Sequence, residues 1–484
     1  MSNNLKSKAK TAFIWDFFGK LSITLSGFII SIFLARLLDV SDFGLVAIAM
    51  TIIGLSWSFS DMGLNGALIQ RKRVLSIHYS SVFYFNIIIA SILTITTYLL
   101  APIIASFYGD DRLVLIIEVI SIYFILSSLT SIHMSILIRE LRFKELAQIS
   151  FFSSIISGIL GVILAFNDFG VWSLIFQHLI SHIISILLIY KVTQYKLELK
   201  FSIKALKQLW SFGFRMFLSS ILDNVFNRID LMIIGKIFNP TILGFFQRAK
   251  SLDTMIVTYS SGSIMSVLFP ILSKIKNDLA RFQRVVIKAL NLISFISFFL
   301  SGLFFLISNE LIIILFGDKW ITSVGFFQIL VLVSFVYPIS SLLVNVLSSR
   351  GNSKAFLRLE IYKKIVLSIN LSIGFIWGIY GYLYGLVIAY IIILYLNIYF
   401  ASQEIKLSKI EFIKPILIQA IFTAIITYFL FFLNSYMEYS LLVSMITKTI
   451  EFIILYILIN WLFNVKSFHY FTQEIKSLIN IKKA

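Results

Sequence analysis

Ionisable side chains stand inside several long apolar segments of this sequence, where a charge is costly. An ionisable group at the centre of a membrane helix costs about 2.5 to 3.5 kcal/mol on insertion scales, so each one needs a partner, a cavity or a function. Ammonium and guanidinium groups in a low-dielectric cavity bind phosphate oxygens strongly, and carboxylates there can bind H⁺ or Na⁺. The side chains with this potential are Lys20, Arg215, Arg228, Asp16, Asp61, Asp223 and Asp230.

Most of these groups share polar stripes at helical spacing. The charged residues of the seventh apolar segment fall within an arc of about 120°, except Arg228, which points toward another helix or a lipid headgroup. The stripes line a cavity, or their opposite charges pair and merely hold helices together. Lys448 and Glu451, three residues apart in the last segment, are predicted to be such a structural pair. The stripe of the first segment spans about 80° and contains Asp16, Lys20, Thr24, Gly27 and Ser31.

The elements that carry these residues are predicted to be membrane-spanning helices. Of the 484 residues, 59% are hydrophobic and 13% are charged, whereas soluble domains have about 25% charged residues. A helix needs about 20 apolar residues to cross a bilayer, which predicts an all-α polytopic membrane protein of about fourteen transmembrane helices. The predicted spans are roughly 13–35, 44–63, 79–101, 115–137, 149–167, 170–190, 210–236, 251–272, 289–309, 324–347, 357–377, 380–401, 415–434 and 440–463.

The basic residues predict the orientation of these helices. Counted with the adjoining span ends, 31 of the 41 Lys and Arg residues lie in or beside the N-terminal segment, every second loop and the C-terminal tail, and 6 lie in or beside the opposite loops. Because positively charged loops stay in the cytoplasm, both termini are predicted to be cytoplasmic. The net charge of +18 then reflects membrane topology, so nucleic acid is not an expected partner.

The sequence predicts neither catalysis nor a cofactor. No loop between the predicted spans exceeds about 20 residues, and P-loop, HExxH and GxSxG motifs are absent. His178 and His182 are four residues apart but lack a third ligand, and the pair Asp110 and Asp111 is expected to form a solvated turn. The sequence has no cysteine to supply a thiolate. We therefore expect no metal and no enzyme.

A short internal repeat relates the two halves of the chain. At an offset of 200 residues, ARLLDVSDFG (Ala35 to Gly44) aligns without gaps on GKIFNPTILG (Gly235 to Gly244). The offset equals six predicted helices, so both halves have the same orientation and should be related by an axis along the membrane normal. This is the plan of a two-lobed transporter. The predicted domains are an N-terminal lobe at 1–200, a C-terminal lobe at 201–403, and two further helices with a cytoplasmic tail at 404–484.

At these residues the sequence resembles the polysaccharide flippases of the multidrug/oligosaccharidyl-lipid/polysaccharide exporter superfamily. The matching stretches are ARLLDVSDFGLVAIA and SDMGLNGALIQRK in the first half and NRIDLMIIGKIFNPTILGFFQRAKSL in the second. The resemblance implies two six-helix lobes, as in MATE transporters, with two extra C-terminal helices. It also implies alternating access that carries an undecaprenyl-pyrophosphate-linked oligosaccharide across the bacterial inner membrane for cell-surface polysaccharide synthesis.

This resemblance implies roles for the charged stripes. The cations Lys20, Arg215 and Arg228 are candidates for binding the substrate, and of these Lys20 and Arg215 are the candidates for binding its pyrophosphate. The expected partners are the lipid-linked oligosaccharide, membrane lipids and other polysaccharide-assembly membrane proteins. O-antigen, capsule, exopolysaccharide and teichuronic acid all stay open as the glycan. The candidates for setting the cavity charge, or for binding a coupling H⁺ or Na⁺, are Asp16, Asp61, Asp223 and Asp230.

Two other functions stay open at this point. One is a MATE-like exporter of drugs or metabolites, although a cavity that selects organic cations should be net acidic and these stripes mix both signs. The other is a polytopic polysaccharide polymerase or ligase. Such enzymes are expected to carry a sizeable external loop with basic residues, and the sequence has none.

Overall fold

The computed structural model describes residues 3–195 and 197–481. In this part of the chain all regular secondary structure is helical and no strand is present, which confirms the predicted all-α class. Ten helices of the described residues are long and apolar enough to cross a membrane, so the chain is a multi-pass membrane protein. The side chains left undescribed within these ranges are those of 3–14, 16–18, 56–58, 60, 61, 219, 222, 223, 227, 258–267, 475 and 477–481.

The helices follow one another with short connections. Two short 3₁₀ segments, Asp318–Trp320 and Phe375–Trp377, separate α-helices in the second half. The α-helices are α1 (Asn3–Leu37), α2 (Val40–Asp61), α3 (Leu64–Gln70), α4 (Ser76–Tyr108), α5 (Arg112–Ile120), α6 (Tyr123–Arg139), α7 (Phe143–Phe166), α8 (Val171–Thr193), α9 (Ile203–Ile237), α10 (Pro240–Lys274), α11 (Leu279–Leu306), α12 (Ser308–Phe316), α13 (Thr322–Val331), α14 (Val336–Arg350), α15 (Ser353–Gly374), α16 (Gly378–Ile405), α17 (Lys409–Asn434), α18 (Leu441–Leu462) and α19 (Lys466–Ile481).

The chain forms two compact units, Met1–Gln247 and Arg248–Ala484, and the boundary between them falls within α10. The predicted domains at 1–200, 201–403 and 404–484 follow the internal repeat and stay a prediction. The spans predicted at 357–377 and 380–401 are separated by a glycine turn, because Gly378 begins α16 with a φ of 75°. A positive φ is sterically free only for glycine, which explains how one apolar run folds into two helices.

Two predicted spans are broken in the structure. The span predicted at 115–137 is divided between α5 and α6, and the span predicted at 324–347 between α13 and α14. A serine lies in each break: the Ser121 hydroxyl donates to the Glu118 carbonyl at 2.7 Å, and the Ser334 hydroxyl lies 3.2 Å from the Leu330 carbonyl. Hydroxyls that bond the preceding turn compete with the backbone ladder and bend helices. The apolar pattern continues through both breaks, so it does not reveal them.

In the unit Met1–Gln247, α1 packs along α7, α7 on α8, and α9 crosses α2, α3 and α4. Small residues allow the closest of these approaches, as is common between membrane helices. A Cβ added at Gly19 would overlap that of Ala147, and one at Gly158 would overlap the Ile30 side chain. A buried cluster that includes Leu64, Phe83, Ile132 and Leu209 fixes the first half of α9.

In the unit Arg248–Ala484, α11 packs against α13, α14, α17 and α19. The last helices are attached to it by buried polar contacts. The Tyr456 hydroxyl lies 2.8 Å from the Phe295 carbonyl and 2.6 Å from Gln419 Oε1, and Gln419 donates to Asn460 at 2.8 Å. Because hydrocarbon offers these groups no alternative partner, the network fixes how α17 and α18 sit on α11.

Candidate functional site

The two copies of the internal repeat contact each other at the starts of α2 and α10, within the first unit. A Cβ added at Gly44 would overlap the carbonyl of Pro240, and one added at Gly244 would overlap the carbonyl of Val40. Val40 and Pro240 are the first residues of the two helices, and both pairs are related by the same offset of 200. The contact is thus reciprocal, which supports the repeat inferred from the sequence and requires glycine at both positions.

Lys20 lies on α1, one residue after the close contact of Gly19 with α7. Its side chain is exposed, and its backbone carbonyl accepts a hydrogen bond from the Thr24 hydroxyl at 2.8 Å. Because Gly19 faces α7, Lys20 is turned about 100° away from that packed face. The role of Lys20 as a contact for an anionic substrate stays a prediction.

Arg215 lies on α9 just past a second close approach. A Cβ added at Gly63, which has a φ of 69°, would overlap the Gly213 carbonyl. This contact presses α9 against the turn between α2 and α3. The Arg215 side chain is exposed, and its Nη2 lies 3.4 Å from the Ser211 hydroxyl one turn earlier. The guanidinium group therefore has donors to offer a ligand beyond this one weak contact.

Arg228 lies farther along α9 and faces α2. Its Nη1 donates to the Met50 carbonyl at 3.3 Å, and a Cβ added at Gly54 would overlap the guanidinium group. The missing side chain at Gly54 therefore provides the space in which Arg228 sits, half-buried. Of the two surroundings predicted for Arg228, the structure places it against another helix.

The carboxylates of the predicted site are described only in part. Asp230 is half-buried, and its Oδ1 accepts from the Leu231 backbone amide at 2.8 Å. The side chains of Asp16, Asp61 and Asp223 lie outside the described residues.

The predicted cations do not form one compact cluster. Arg215 and Arg228 are 13 residues apart on the single helix α9, which separates them by about 20 Å along its axis. Such a distance exceeds the size of one pyrophosphate group, so the two arginines lie at different points along α9. Lys20 belongs to α1, whose main packing partner is α7.

The structure contains charged contacts that the sequence analysis missed. Lys448 forms its ion pair with Glu310 of α12, and Glu451 accepts from Asn434 at 2.9 Å, so the predicted pairing of Lys448 with Glu451 is wrong. Asp253 of α10 accepts a hydrogen bond from Ser334. Helical spacing suggests partners only within one helix, whereas both contacts join helices far apart in the sequence.

The histidines lie in packing contacts. The His182 ring meets the Tyr123 ring edge to face, with centroids 4.3 Å apart, and His133 Nδ1 lies 2.8 Å from the Thr193 hydroxyl. In the turn between α4 and α5, hydrogen bonds from the Arg112 side chain lower the pKa of Asp110. Over the described part of the chain, no group of three metal-ligating side chains comes together.

Comparison with known proteins shows which families and proteins this chain is similar to. A sequence profile of the family described as polysaccharide biosynthesis protein matches residues 33–325. The chain is 26% identical over 407 residues to an uncharacterized membrane protein in the cps region of Klebsiella pneumoniae, covering 83% of this chain and 84% of that protein. It is 25% identical over 290 residues to the succinoglycan biosynthesis transport protein ExoT of Rhizobium meliloti (strain 1021), covering 59% and 58%.

A solved structure shares the fold. The lipid II flippase MurJ, in an inward closed conformation, matches with a TM-score of 0.75 and 17% sequence identity, over 93% of this chain and 98% of that one. At this identity the likeness concerns the fold alone. The profile match, however, covers more than half of the chain and confirms the resemblance carried by the motifs around Gly44 and Gly244. The chain therefore belongs to the polysaccharide biosynthesis protein family.

Proposed function

We propose that this protein is a flippase that moves undecaprenyl-pyrophosphate-linked oligosaccharide repeat units across the bacterial cytoplasmic membrane by alternating access. Membership of the polysaccharide biosynthesis protein family, in a chain built of membrane helices, carries the proposal. Similarity to the transport protein ExoT and a fold like that of the lipid II flippase MurJ support it. The chain acts as a transporter, and the carried unit is the product of separate glycosyltransferases.

The proposed architecture has fourteen spans in two six-helix lobes and two further helices, with both termini in the cytoplasm. The charge asymmetry of the loops supports this orientation. The reciprocal contact of Gly44 and Gly244 supports two related halves. A lobe at 1–200 and a lobe at 201–403 would then rock against each other around a substrate held near the middle of the membrane.

The proposed pyrophosphate contacts are Lys20 and Arg215, because both side chains are exposed in the structure and both lie in spans predicted from the sequence. A guanidinium group can bind two phosphate oxygens at once, and an ammonium group adds a compact positive charge. Arg228, seated against Gly54, is proposed to act at a different point of the cavity from Arg215. Asp230 is a proposed coupling-ion or cavity residue, together with Asp16, Asp61 and Asp223.

A deletion strain tests the function. Cells that lack the protein should assemble the lipid-linked repeat unit but keep it on the cytoplasmic leaflet, and surface polysaccharide should disappear. The position of the glycan is measured by oxidation with a membrane-impermeant reagent in right-side-out and inverted vesicles. The matched control is the same strain carrying the gene on a plasmid.

Two other outcomes would contradict the proposal. Failure to assemble the repeat unit would indicate a polymerase, a ligase or another enzyme. Normal surface polysaccharide, combined with a new sensitivity to organic cations, would indicate a drug exporter.

A further inference from the structure

The two repeats differ in charge immediately after their shared glycines. Residues 45–53 read LVAIAMTII and contain no ionisable group, whereas 245–253 read FFQRAKSLD and introduce Arg248, Lys250 and Asp253. The reciprocal contact of Gly44 and Gly244 fixes the register of this comparison. Since the first repeat forms the same kind of helix without these charges, the helical fold does not require them. A charge retained in a membrane helix without a folding role points to a function.

Arg248 and Asp253 have different surroundings. Arg248 is buried between two rings, with its guanidinium carbon 4.6 Å from the centroid of Phe316 and 5.0 Å from that of Trp320. These cation–π contacts stabilise the positive charge of Arg248 inside the protein. Asp253 remains partly exposed, and its Oδ1 accepts a hydrogen bond from the hydroxyl of Ser334. A carboxylate that is both held and accessible can exchange an ion with water.

Ser334 lies in the turn of residues 332–335 between α13 and α14, where the backbone dihedrals stay helical but the hydrogen bonds tighten to a three-residue spacing. Interrupted helices bind coupling ions in many transporters. The first half has a matching break, because SIYFILSSL from Ser121 corresponds to SFVYPISSL from Ser334. At the first break the backbone carbonyl of Ser121 accepts from the Thr94 hydroxyl at 3.1 Å. The break is thus common to both halves, and the carboxylate beside it belongs to the second.

We propose that Asp253 is the site at which this transporter binds and releases its coupling ion, and that the ion is a proton. The inference rests on the proposed function and identifies the ion that would drive transport. A sodium ion needs several oxygen ligands, whereas a proton needs only the carboxylate and a partner for each charge state. Ser334 supplies that partner in both states.

The hydrogen bonds can rearrange without leaving a polar group unsatisfied. When Asp253 is ionised, the Ser334 hydroxyl donates to its carboxylate. When a proton binds a carboxylate oxygen, the new O–H can donate to Ser334 Oγ, and the serine proton can turn to the Leu330 carbonyl, already 3.2 Å away. Serine suits this position because its hydroxyl both donates and accepts.

Among the side chains that the structure describes, few other ionisable groups face this carboxylate. Lys250, one turn earlier on α10, acts on it electrostatically. The facing segment from Thr322 to Val336 has no titratable side chain, and neither does α11 between residues 289 and 306. The first titratable group of α14 is the Tyr337 hydroxyl. Proton exchange at this place is therefore assigned to Asp253.

The experiment uses the full-length protein in two assays. Infrared difference spectroscopy between acidic and alkaline buffer, in detergent, should show a protonated-carboxyl band that is absent in Asp253→Asn and displaced in Ser334→Ala. Asp111→Asn, which removes an exposed loop carboxylate, is the control and should keep the band. In proteoliposomes containing lipid-linked oligosaccharide, flipping by the wild type should depend on an imposed pH gradient. Asp253→Asn should lose that flipping, and Asp253→Glu should regain part of it.

The outcomes separate this inference from the proposed function. Wild-type protein that flips nothing, with or without a gradient, contradicts the flippase function, and the infrared assay still tests Asp253. Gradient-dependent flipping by a well-folded Asp253→Asn protein overturns the proton site. An unchanged carboxyl band in the Asp253→Asn protein also overturns the proton site. Flipping that depends on Na⁺ and not on the pH gradient overturns the choice of ion.

Discussion

Arg215 and Arg228 show how surroundings separate two identical residues on one helix. Arg228 is seated over Gly54 and donates to the Met50 carbonyl, so its guanidinium group packs against α2. Arg215 is exposed and makes one long contact with Ser211. A guanidinium group has five N–H donors, so Arg215 can still bind a phosphate. At the residue scale, therefore, exposure favours Arg215 as the ligand.

Removing the charge of Lys20 or Arg215 should abolish flipping while the protein is still made at normal levels. Lys20→Arg should keep partial function because the charge survives, and Arg215→Lys should lose more because a point charge cannot replace a bidentate contact. The measurement is complementation of polysaccharide display in the deletion strain, with protein quantified by immunoblot.

A structural role of Lys20 predicts a different pattern. If Lys20 only neutralises Asp16, the double change Asp16→Asn with Lys20→Gln should restore transport, because no uncompensated charge remains in the helix. A ligand role predicts no rescue. Full display in the double variant would remove Lys20 from the substrate site.

At the scale of elements, the contact between the two repeat copies depends on two glycines. Each glycine leaves room for the backbone at the start of the other helix. Gly44→Ala should destabilise the protein, because the added methyl group overlaps the Pro240 backbone and cannot be relieved by rotating a side chain. Overpacking of this kind costs about 1 to 3 kcal/mol. Gly244→Ala should behave alike, since its Cβ meets the Val40 carbonyl. The measurement is thermal unfolding of the purified protein in detergent.

Gly66→Ala is the matched control, because Gly66 is also helical and a Cβ there has nothing within 4 Å. Alanine is the better helix former by about 1 kcal/mol, so this variant should be neutral or slightly more stable. Equal melting temperatures for Gly44→Ala and Gly66→Ala would show that α2 and α10 do not approach each other closely in the membrane.

At the scale of the whole molecule, the fourteen-span arrangement predicts the side of every loop. The charge asymmetry should hold each basic loop in the cytoplasm, so alternate fusions of a topology reporter should give opposite readings. Two or more reversed positions would overturn the number of spans. Fusions should read cytoplasmic after Tyr195, Ile275, Asn352 and Leu407, and external after Asp111, Asn239, Asp318 and Asn434.

The sequence by itself determined the class of the protein, its family and the positions of most helices. The free energy of inserting a helix into a membrane is close to a sum of contributions from its own residues. A charge-free run therefore identifies a span without knowledge of the helices that pack against it. The same local reading located the glycine turn at Gly378 and the repeat around Gly44 and Gly244. It also identified Lys20, Arg215 and Arg228 as charges that need an explanation, although it could not assign their partners.

Only the tertiary structure decided which helices break and which charges meet. The breaks after Ile120 and Val331 fall inside predominantly apolar runs, so hydropathy passes over them. The contacts of Lys448 with Glu310 and of Asp253 with Ser334 join residues more than 80 positions apart. Such contacts depend on how each helix is rotated and crossed against its neighbours. A one-dimensional pattern gives the polar face of a helix but leaves open which other helix that face will meet.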